Sequence, residues 1–126
     1  MKEGQEREVR VLIVDDERLA RVNLKGLLSE HPYVRVVGEA RNIEQARRVL
    51  DATRVDLIFL DIQMPGGSGF DLVETLEQRP HVVFVTAHDH YATQASASQA
   101  LDFLLKPVDP DRLGESLQKV LSYRQD

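Results

Sequence analysis

Five short apolar runs alternate along the chain with segments of helical periodicity. The runs are rich in Val, Ile, Leu and Phe and have the length of β-strands; they span residues 9–14, 34–37, 55–60, 82–85 and 101–105. Apolar positions at helical spacing, such as Leu24 and Leu28, follow the first run, and Leu113 and Leu117 follow the last. Strands joined by helices are parallel, and near-continuous apolar runs are typical of strands covered on both faces. The pattern predicts a single-domain α/β fold, (βα)5, with a doubly wound parallel sheet in the flavodoxin-like order 2-1-3-4-5.

Length and composition favour one globular domain. The chain has 126 residues, of which 42% are hydrophobic, and the domain is expected to span residues 9–123. Cysteine does not occur, which excludes a disulfide scaffold, a cysteine nucleophile and a zinc site built on thiolates. Residues 1–8 lack the apolar stretch of a signal peptide and are expected to form a disordered tail. Together these features predict a cytoplasmic protein.

The charge of the chain limits its partners. The 16 Lys and Arg residues against 21 Asp and Glu give a net charge of −5, and the densest basic cluster is the pair Arg47 and Arg48. This balance disfavours direct binding of nucleic acid or of anionic lipid. The chain has no stretch of 18 apolar residues, the length that a membrane span requires. A metal ion or a cationic partner is the ligand class that the charge favours.

Polar residues gather where the predicted strands end. The first strand is followed by Asp15, Asp16 and Glu17, the third by Asp61, the fourth by Thr86 and the fifth by Lys106. Each has an ordinary structural interpretation as a cap of the following helix. The carboxyl ends of parallel strands meet at one edge of the sheet, however, and ligands bind there beside the point where the strand order reverses. We therefore expect these side chains to converge.

Crowded carboxylates indicate a cation at this edge. Two carboxylates about 4 Å apart repel by roughly 4 kcal/mol at an effective dielectric near 20, so either one is protonated or a cation lies among them. Oxygen ligands without His or Cys suit Mg²⁺, which favours a phosphate oxygen as a further ligand. Lys106 offers a positive charge and Thr86 a hydroxyl donor to the same phosphoryl group. Asp61 could then attack phosphorus and become an aspartyl phosphate.

Four segments resemble the receiver domain of two-component response regulators. They are VLIVDDE (11–17), LDIQMPG (60–66), VTA (85–87) and FLLKP (103–107). The resemblance covers about residues 9–122, nearly the whole chain. The segments LAR (19–21) and ALDFLLKP (100–107) are similar to receivers joined to DNA-binding domains of the LytTR type, as in LytR/AlgR regulators.

The resemblance implies a phosphoacceptor and a metal site. Asp61 would accept a phosphoryl group from a sensor histidine kinase. Asp16 and Asp61 would bind Mg²⁺ directly, the backbone carbonyl of Gln63 would be a third protein ligand, and Asp15 would act through water. The family is a signalling family, so the chain is expected not to be an enzyme beyond slow self-phosphorylation and self-dephosphorylation.

The resemblance also implies a conformational switch. Thr86 and Phe103 would be the switch pair, with the hydroxyl drawn to the phosphoryl group while the ring turns inward. Lys106 would contact a phosphoryl oxygen, and the bond from Lys106 to Pro107 would be cis. The responding surface would comprise the fourth helix, the fifth strand and the fifth helix.

The resemblance further implies partners outside this chain. A C-terminal output domain that binds DNA and controls transcription would lie beyond it, and phosphorylation would favour a homodimer. Three residues depart from the family's pattern. Gly67 replaces a larger side chain, which would loosen the loop after the acceptor, and Ser96 and Ser98 stand where relatives place apolar residues, which weakens the expectation of a dimer.

Other functions fit the sequence less well. An aspartyl-nucleophile phosphatase of the haloacid dehalogenase-like kind would use Mg²⁺ on a similar sheet, but it needs Asp-x-Asp-x-[Thr/Val] after the first strand, where this chain has DDERL (15–19). A flavin carrier would need a Ser-, Thr- or Gly-rich loop at the same place to hold a phosphate. A stand-alone receiver that acts by protein contact is a further alternative.

Overall fold

A computed structural model describes residues 8–76 and 80–124. Five strands form one sheet: β1 (Val9–Val14), β2 (Val34–Ala40), β3 (Leu57–Asp61), β4 (His81–Thr86) and β5 (Asp102–Leu105). The helices are α1 (Arg18–Leu28), α2 (Ile43–Ala52), α3 (Gly69–Glu74), α4 (Ala92–Ala97) and α5 (Pro110–Arg124), and a 3₁₀ turn (Asp89–Tyr91) precedes α4. The strand order is β2-β1-β3-β4-β5 and every neighbouring pair is parallel. The predicted fold class is confirmed.

Helices cover both faces of the sheet, as the apolar strands predict. The first face packs α1 and α5 on the sheet through Leu24, Leu28, Leu113, Leu117 and Val120. The second face packs α2, α3 and α4 through Ala46, Phe70, Leu72, Val73 and Ala95. All five residues of β3, the central strand, are buried. The parallel pairing of β3 with β1 and with β4 places the carboxyl ends of these three strands beside one another.

The loop after β3 forms a short hairpin that the sequence analysis did not predict. Gln63–Met64 pairs antiparallel with Gly67–Ser68, and Gly66 turns the chain with φ +86°, a conformation that favours glycine. The Ser68 side chain accepts a hydrogen bond from the N–H of Phe70, and Asp71 Oδ2 accepts from the N–H of Ser68, so a capping box begins α3.

Helix α4 is weakly anchored, because five of its six residues are exposed. Ala95 is its one buried residue, as the scarcity of large apolar side chains in this segment predicts. Ser96 is exposed, and the hydroxyl of Ser98, just after the helix, donates to the carbonyl of Ala95.

Among residues 8–76 and 80–124, no helix is long and apolar enough to cross a membrane. The expected N-terminal tail lies outside the described residues except for Glu8, which forms an ion pair with Arg35 at 3.6 Å.

Candidate functional site

Three carboxylates meet at the carboxyl ends of β1 and β3. Asp15, Asp16 and Asp61 each present an oxygen, and these three oxygens lie within 4.8 Å of one another. Asp15 and Asp61 are only 5% and 6% exposed, whereas Asp16 is exposed. A compact set of hard oxygen donors, one of which is open to solvent, fits a divalent cation that keeps part of its water shell. The convergence that the strand order predicts is therefore present.

Local backbone contacts fix the two buried acids. The N–H of Asp15 donates to the carbonyl of Ala40 at 2.9 Å, and Asp15 Oδ1 accepts from the N–H of Glu17 at 2.9 Å. Asp61 is the last residue of β3, and α3 begins against it at Gly69. A Cβ on Gly69 would lie 2.6 Å from the carbonyl oxygen of Asp61, a distance that real Cβ atoms do not reach. Only glycine lets the helix approach the acid this closely.

Lys106 joins the acids from the end of β5. Its Nζ lies 2.7 Å from Asp15 Oδ2, 3.4 Å from Asp61 Oδ2 and 3.5 Å from Glu17 Oε1. Its main-chain N–H donates to the carbonyl of Thr86 at 2.8 Å, which aligns the end of β5 with that of β4. The peptide bond between Lys106 and Pro107 is cis.

The acids and the lysine shift each other's proton affinity. Burial raises the pKa of Asp61 and Asp15 adds to this, so the attraction of Lys106 does not fully compensate. Burial alone would lower the pKa of Lys106, but the hydrogen bond to Asp15 and the charge of Asp61 raise it above its ordinary value. Lys106 is therefore a stable cation, and a further positive charge near Asp61 would favour its ionised form.

A cleft of about 250 Å³ opens above these groups, and Asp16, Asp61, Thr86 and Lys106 are among the residues that line it. Thr86 is buried, and its hydroxyl oxygen accepts from the N–H of His88 at 3.3 Å. The hydroxyl therefore retains its hydrogen for a bound group. Phe103 is not among the lining residues, because its ring packs, partly buried, against the apolar cluster on the α4 side of the sheet.

Gln63 connects the loop after β3 to the turn before α4, a contact that the sequence analysis missed. Its side-chain amide donates to the hydroxyl of Tyr91 at 2.8 Å. The Tyr91 ring lies 6.1 Å from that of Phe70, whose ring lies 4.8 Å from that of Phe84. No spacing in the sequence indicates a contact across 28 positions, since only the hairpin after β3 brings the two residues together.

Comparison with known proteins gives one consistent family. Residues 11–118 match the response regulator receiver domain family. The chain is 45% identical over 118 residues to the transcriptional regulatory protein BtsR of Escherichia coli, covering 92% of this chain and 49% of BtsR. It is 42% identical over 120 residues to the sensory transduction protein LytT of Bacillus cereus, covering 93% of this chain and 49% of LytT. The chain thus spans about half the length of the curated relatives it matches.

Solved structures agree with this comparison. The response regulatory domain of protein mrkE from Klebsiella pneumoniae superposes with a TM-score of 0.84 at 32% identity, covering 93% of this chain and 98% of that one. The REC domain of AraT, a response regulator from Geobacillus stearothermophilus, gives a TM-score of 0.80 at 33% identity, covering 93% and 95%. With its sheet order, its acidic pocket and these matches, the chain belongs to the response regulator receiver domain family of two-component systems.

Proposed function

We propose that this receiver domain is a phosphorylation-activated switch in which Asp61 accepts a phosphoryl group from a sensor histidine kinase. The observation that carries the proposal is the convergence of Asp15, Asp16 and Asp61 within 4.8 Å, with the Lys106 ammonium 3.4 Å from Asp61. In the transfer, an Asp61 oxygen bonds to phosphorus while the bond between phosphorus and the donor imidazole nitrogen breaks, and that nitrogen keeps the electron pair.

The carboxylates fit a bound Mg²⁺. Asp16 and Asp61 would hold the ion directly, Gln63 would add its backbone carbonyl, and Asp15 would act through water. Bound Mg²⁺ would offset the repulsion between the carboxylates and withdraw charge from the phosphoryl oxygens. The raised pKa of Asp61 supports this assignment, because a nearby cation favours the ionised acid that attack on phosphorus requires.

Thr86 and Lys106 are placed to contact a phosphoryl group on Asp61. The Thr86 hydroxyl hydrogen and the Lys106 ammonium can both donate to phosphoryl oxygens, and both residues line the cleft beside Asp61. The response would pass to Phe103 and to α4. Because Ala95 is the one buried residue of α4, moving this helix breaks few apolar contacts. Phosphorylation would then favour a second conformation of the surface formed by α4, β5 and α5.

We also propose that the response controls transcription through a C-terminal DNA-binding domain. The curated relatives are about twice as long as this chain, and one of them is a transcriptional regulatory protein. The net charge of −5 is consistent with DNA contacts made by that other domain rather than by this one. A homodimer would form on phosphorylation through the α4, β5 and α5 surface, and sizing the chain with and without phosphorylation tests this.

Chemical phosphorylation tests the central step. Acetyl phosphate with Mg²⁺ should add one group of about 80 Da to the intact chain. Asp61→Asn should prevent the addition, whereas Asp51→Asn, which changes an exposed acid on α2, should not. The label should be removed by alkaline hydroxylamine, as an acyl phosphate is. A label retained by Asp61→Asn, or one that resists hydroxylamine, would contradict the assignment. Repeated turnover of generic phosphatase substrates would favour the phosphatase alternative.

A second experiment tests whether Lys106 is needed for the conformational response to phosphorylation. Lys106→Ala should reduce the phosphorylation-dependent chemical-shift changes in residues 91–100 while the chain stays folded. Wild-type shift changes in this variant would show that Lys106 does not relay the signal.

A further inference from the structure

The guanidinium of Arg21 spans three elements beside the acidic pocket. Arg21 lies on α1 with its side chain only 16% exposed. Its Nη1 donates to the main-chain carbonyl of Asp15 at 2.7 Å, and its Nε donates to Glu39 Oε1 on β2 at 3.1 Å. One planar group therefore ties helix α1 and the edge strand to the segment that carries two of the three acids.

The carbonyl that Arg21 contacts belongs to the peptide unit between Asp15 and Asp16. Asp15 lies one residue beyond β1, and its N–H is already bonded to the carbonyl of Ala40. The carbonyl of Asp15 and the N–H of Asp16 share one rigid peptide plane. Fixing both main-chain groups of Asp15 therefore fixes the direction in which its side chain leaves the backbone and the orientation of the peptide unit from which Asp16 continues.

Glu39 is itself held in place on the other side of the bridge. Lys25, one turn along α1 from Arg21, donates to Glu39 Oε2 at 2.7 Å. The Lys25 hydrogen bond is the main reason that the pKa of Glu39 lies below its ordinary value, and Arg21 adds to it. Glu39 is therefore an ionised partner in the neutral range, and two-point donation to it and to a carbonyl matches the fork of arginine rather than the single ammonium of lysine.

We propose that Arg21 is a positioning residue for the metal site: it holds the Asp15–Asp16 peptide so that both acids face Asp61. The inference rests on the proposed Mg²⁺ binding of this pocket. Positioning by Arg21 and a simple effect of its charge predict opposite changes in Mg²⁺ affinity when Arg21 is removed. A positive charge near three carboxylates weakens cation binding, so charge alone predicts that removing Arg21 tightens Mg²⁺. Positioning predicts that removing it weakens Mg²⁺.

Titration calorimetry with Mg²⁺ alone decides between the two signs. We expect Arg21→Ala to bind Mg²⁺ about tenfold more weakly than the wild type, the lower end of the usual effect of losing a group that orients a ligand. Arg21→Lys keeps the charge and loses the two-point bridge, so its affinity should fall between those two. Arg48→Ala is the matched control, because it also removes one positive charge and one Arg–Glu pair, at an exposed position on α2, and should bind as the wild type does.

A second readout is local. The amide of Asp16 is in the peptide unit whose carbonyl Arg21 holds, so its ¹⁵N shift should change in both Arg21 variants and not in Arg48→Ala. Circular dichroism establishes that each variant is folded at the temperature of the titration. If Arg21→Ala does not fold, Arg21→Lys, in which the charge is constant, carries the test.

Each outcome has one meaning. Equal or tighter Mg²⁺ binding by Arg21→Ala overturns the proposal, because positioning by Arg21 requires weaker binding in this variant. Full wild-type affinity in Arg21→Lys overturns the two-point bridge. Failure of the wild-type chain to bind Mg²⁺ removes the metal step of the proposed function and this inference with it, which distinguishes that failure from a specific failure of Arg21.

Discussion

Replacing the buried Asp61 by its neutral isostere, asparagine, should stabilise the domain. Asp61 is 6% exposed and its oxygen lies within 4.8 Å of one of Asp15, so the two charges repel by at least about 3.5 kcal/mol at an effective dielectric near 20. Lys106, at 3.4 Å, attracts Asp61 by about 5 kcal/mol on the same scale. Asp16 adds repulsion that solvent screens, because it is exposed. The pair interactions nearly cancel, and the cost of burying the charge decides the sign.

The expected gain for Asp61→Asn is about 1–2 kcal/mol in the free energy of unfolding, because the cost of burying the Asp61 charge is removed while Lys106 keeps Asp15 as a partner at 2.7 Å. For a chain of this size that raises Tm by roughly 3–10 °C. The assay is thermal unfolding by circular dichroism at pH 7 in a metal chelator. Glu30→Gln removes an exposed acid and serves as the control for net charge, with an expected change near zero.

The pH dependence of the free energy of unfolding tests whether the charge of Asp61 causes the stability difference between the wild type and Asp61→Asn. The pKa of Asp61 is raised, chiefly by burial, so the native state binds this proton more tightly than the unfolded state does. The wild type therefore loses stability as the pH rises from the ordinary aspartate range through the raised pKa, and Asp61→Asn does not. The advantage of the variant should be full at neutral pH and disappear on acidification. An unchanged or lower Tm at pH 7, or an advantage that persists in acid, would refute the reasoning.

Magnesium should reverse part of this difference. At a concentration one hundred times its Kd, a ligand of the native state adds about 2.7 kcal/mol to the stability. Asp61→Asn lacks one anionic ligand and should gain less. The stability advantage of the variant should thus shrink or invert when Mg²⁺ replaces the chelator.

Two further predictions concern packing and the α5 anchor. Gly69→Ala should destabilise the domain by about 1–3 kcal/mol in urea unfolding, because the new Cβ would press on the Asp61 carbonyl. Gly26→Ala in α1 meets open space and should stabilise by about 0.5–1 kcal/mol; the reverse order would contradict the close approach. Burial alone would raise the pKa of Asp102, but hydrogen bonds led by that of Ser116 lower it, so its contribution is present above the ordinary aspartate pKa and lost as the pH falls through the lowered pKa. Asp102→Asn should therefore lose stability at pH 7 and converge with the wild type in acid, and a constant deficit would count against the interpretation.

The sheet was predictable because its signal is periodic and local. The five apolar runs give the five strands in order, with shifts at the ends: the third strand is Leu57–Asp61 rather than 55–60, and β2 continues to Ala40. The acidic pocket then follows from the strand order alone, since parallel strands end at one edge. Neither the strands nor the position of the acidic pocket depends on side-chain conformation.

Contacts between distant side chains could not be predicted in this way. The hairpin after β3 depends on a backbone conformation at Gly66 that a run of glycines permits but does not specify. The Gln63–Tyr91 hydrogen bond depends on that hairpin. Arg21 is one of several basic residues in α1, and its selection by the Asp15 carbonyl depends on the angle at which the helix leaves the strand. The capping box at Ser68 and Asp71 matches the pattern Ser-x-x-Asp, but the glycines beside it equally predict a loose loop, so the sequence does not decide between the two.

The two helices that flank β5 are held with unequal strength, and this asymmetry would direct a displacement at Lys106 towards α4. Helix α5 is tied to the strand through Asp102, whose carboxylate is contacted by Arg112, Ser116 and Lys119 from one face of the helix. Arg112 also donates to the carbonyl of Phe103, which clamps the backbone of that residue while its ring stays on the opposite, α4, side of the sheet. Helix α4 is anchored by Ala95 alone among its own residues. Because a displacement takes the path that breaks the fewest contacts, we expect a rearrangement at the carboxyl end of the sheet around Asp61 to move α4 and the Phe103 ring before it moves α5.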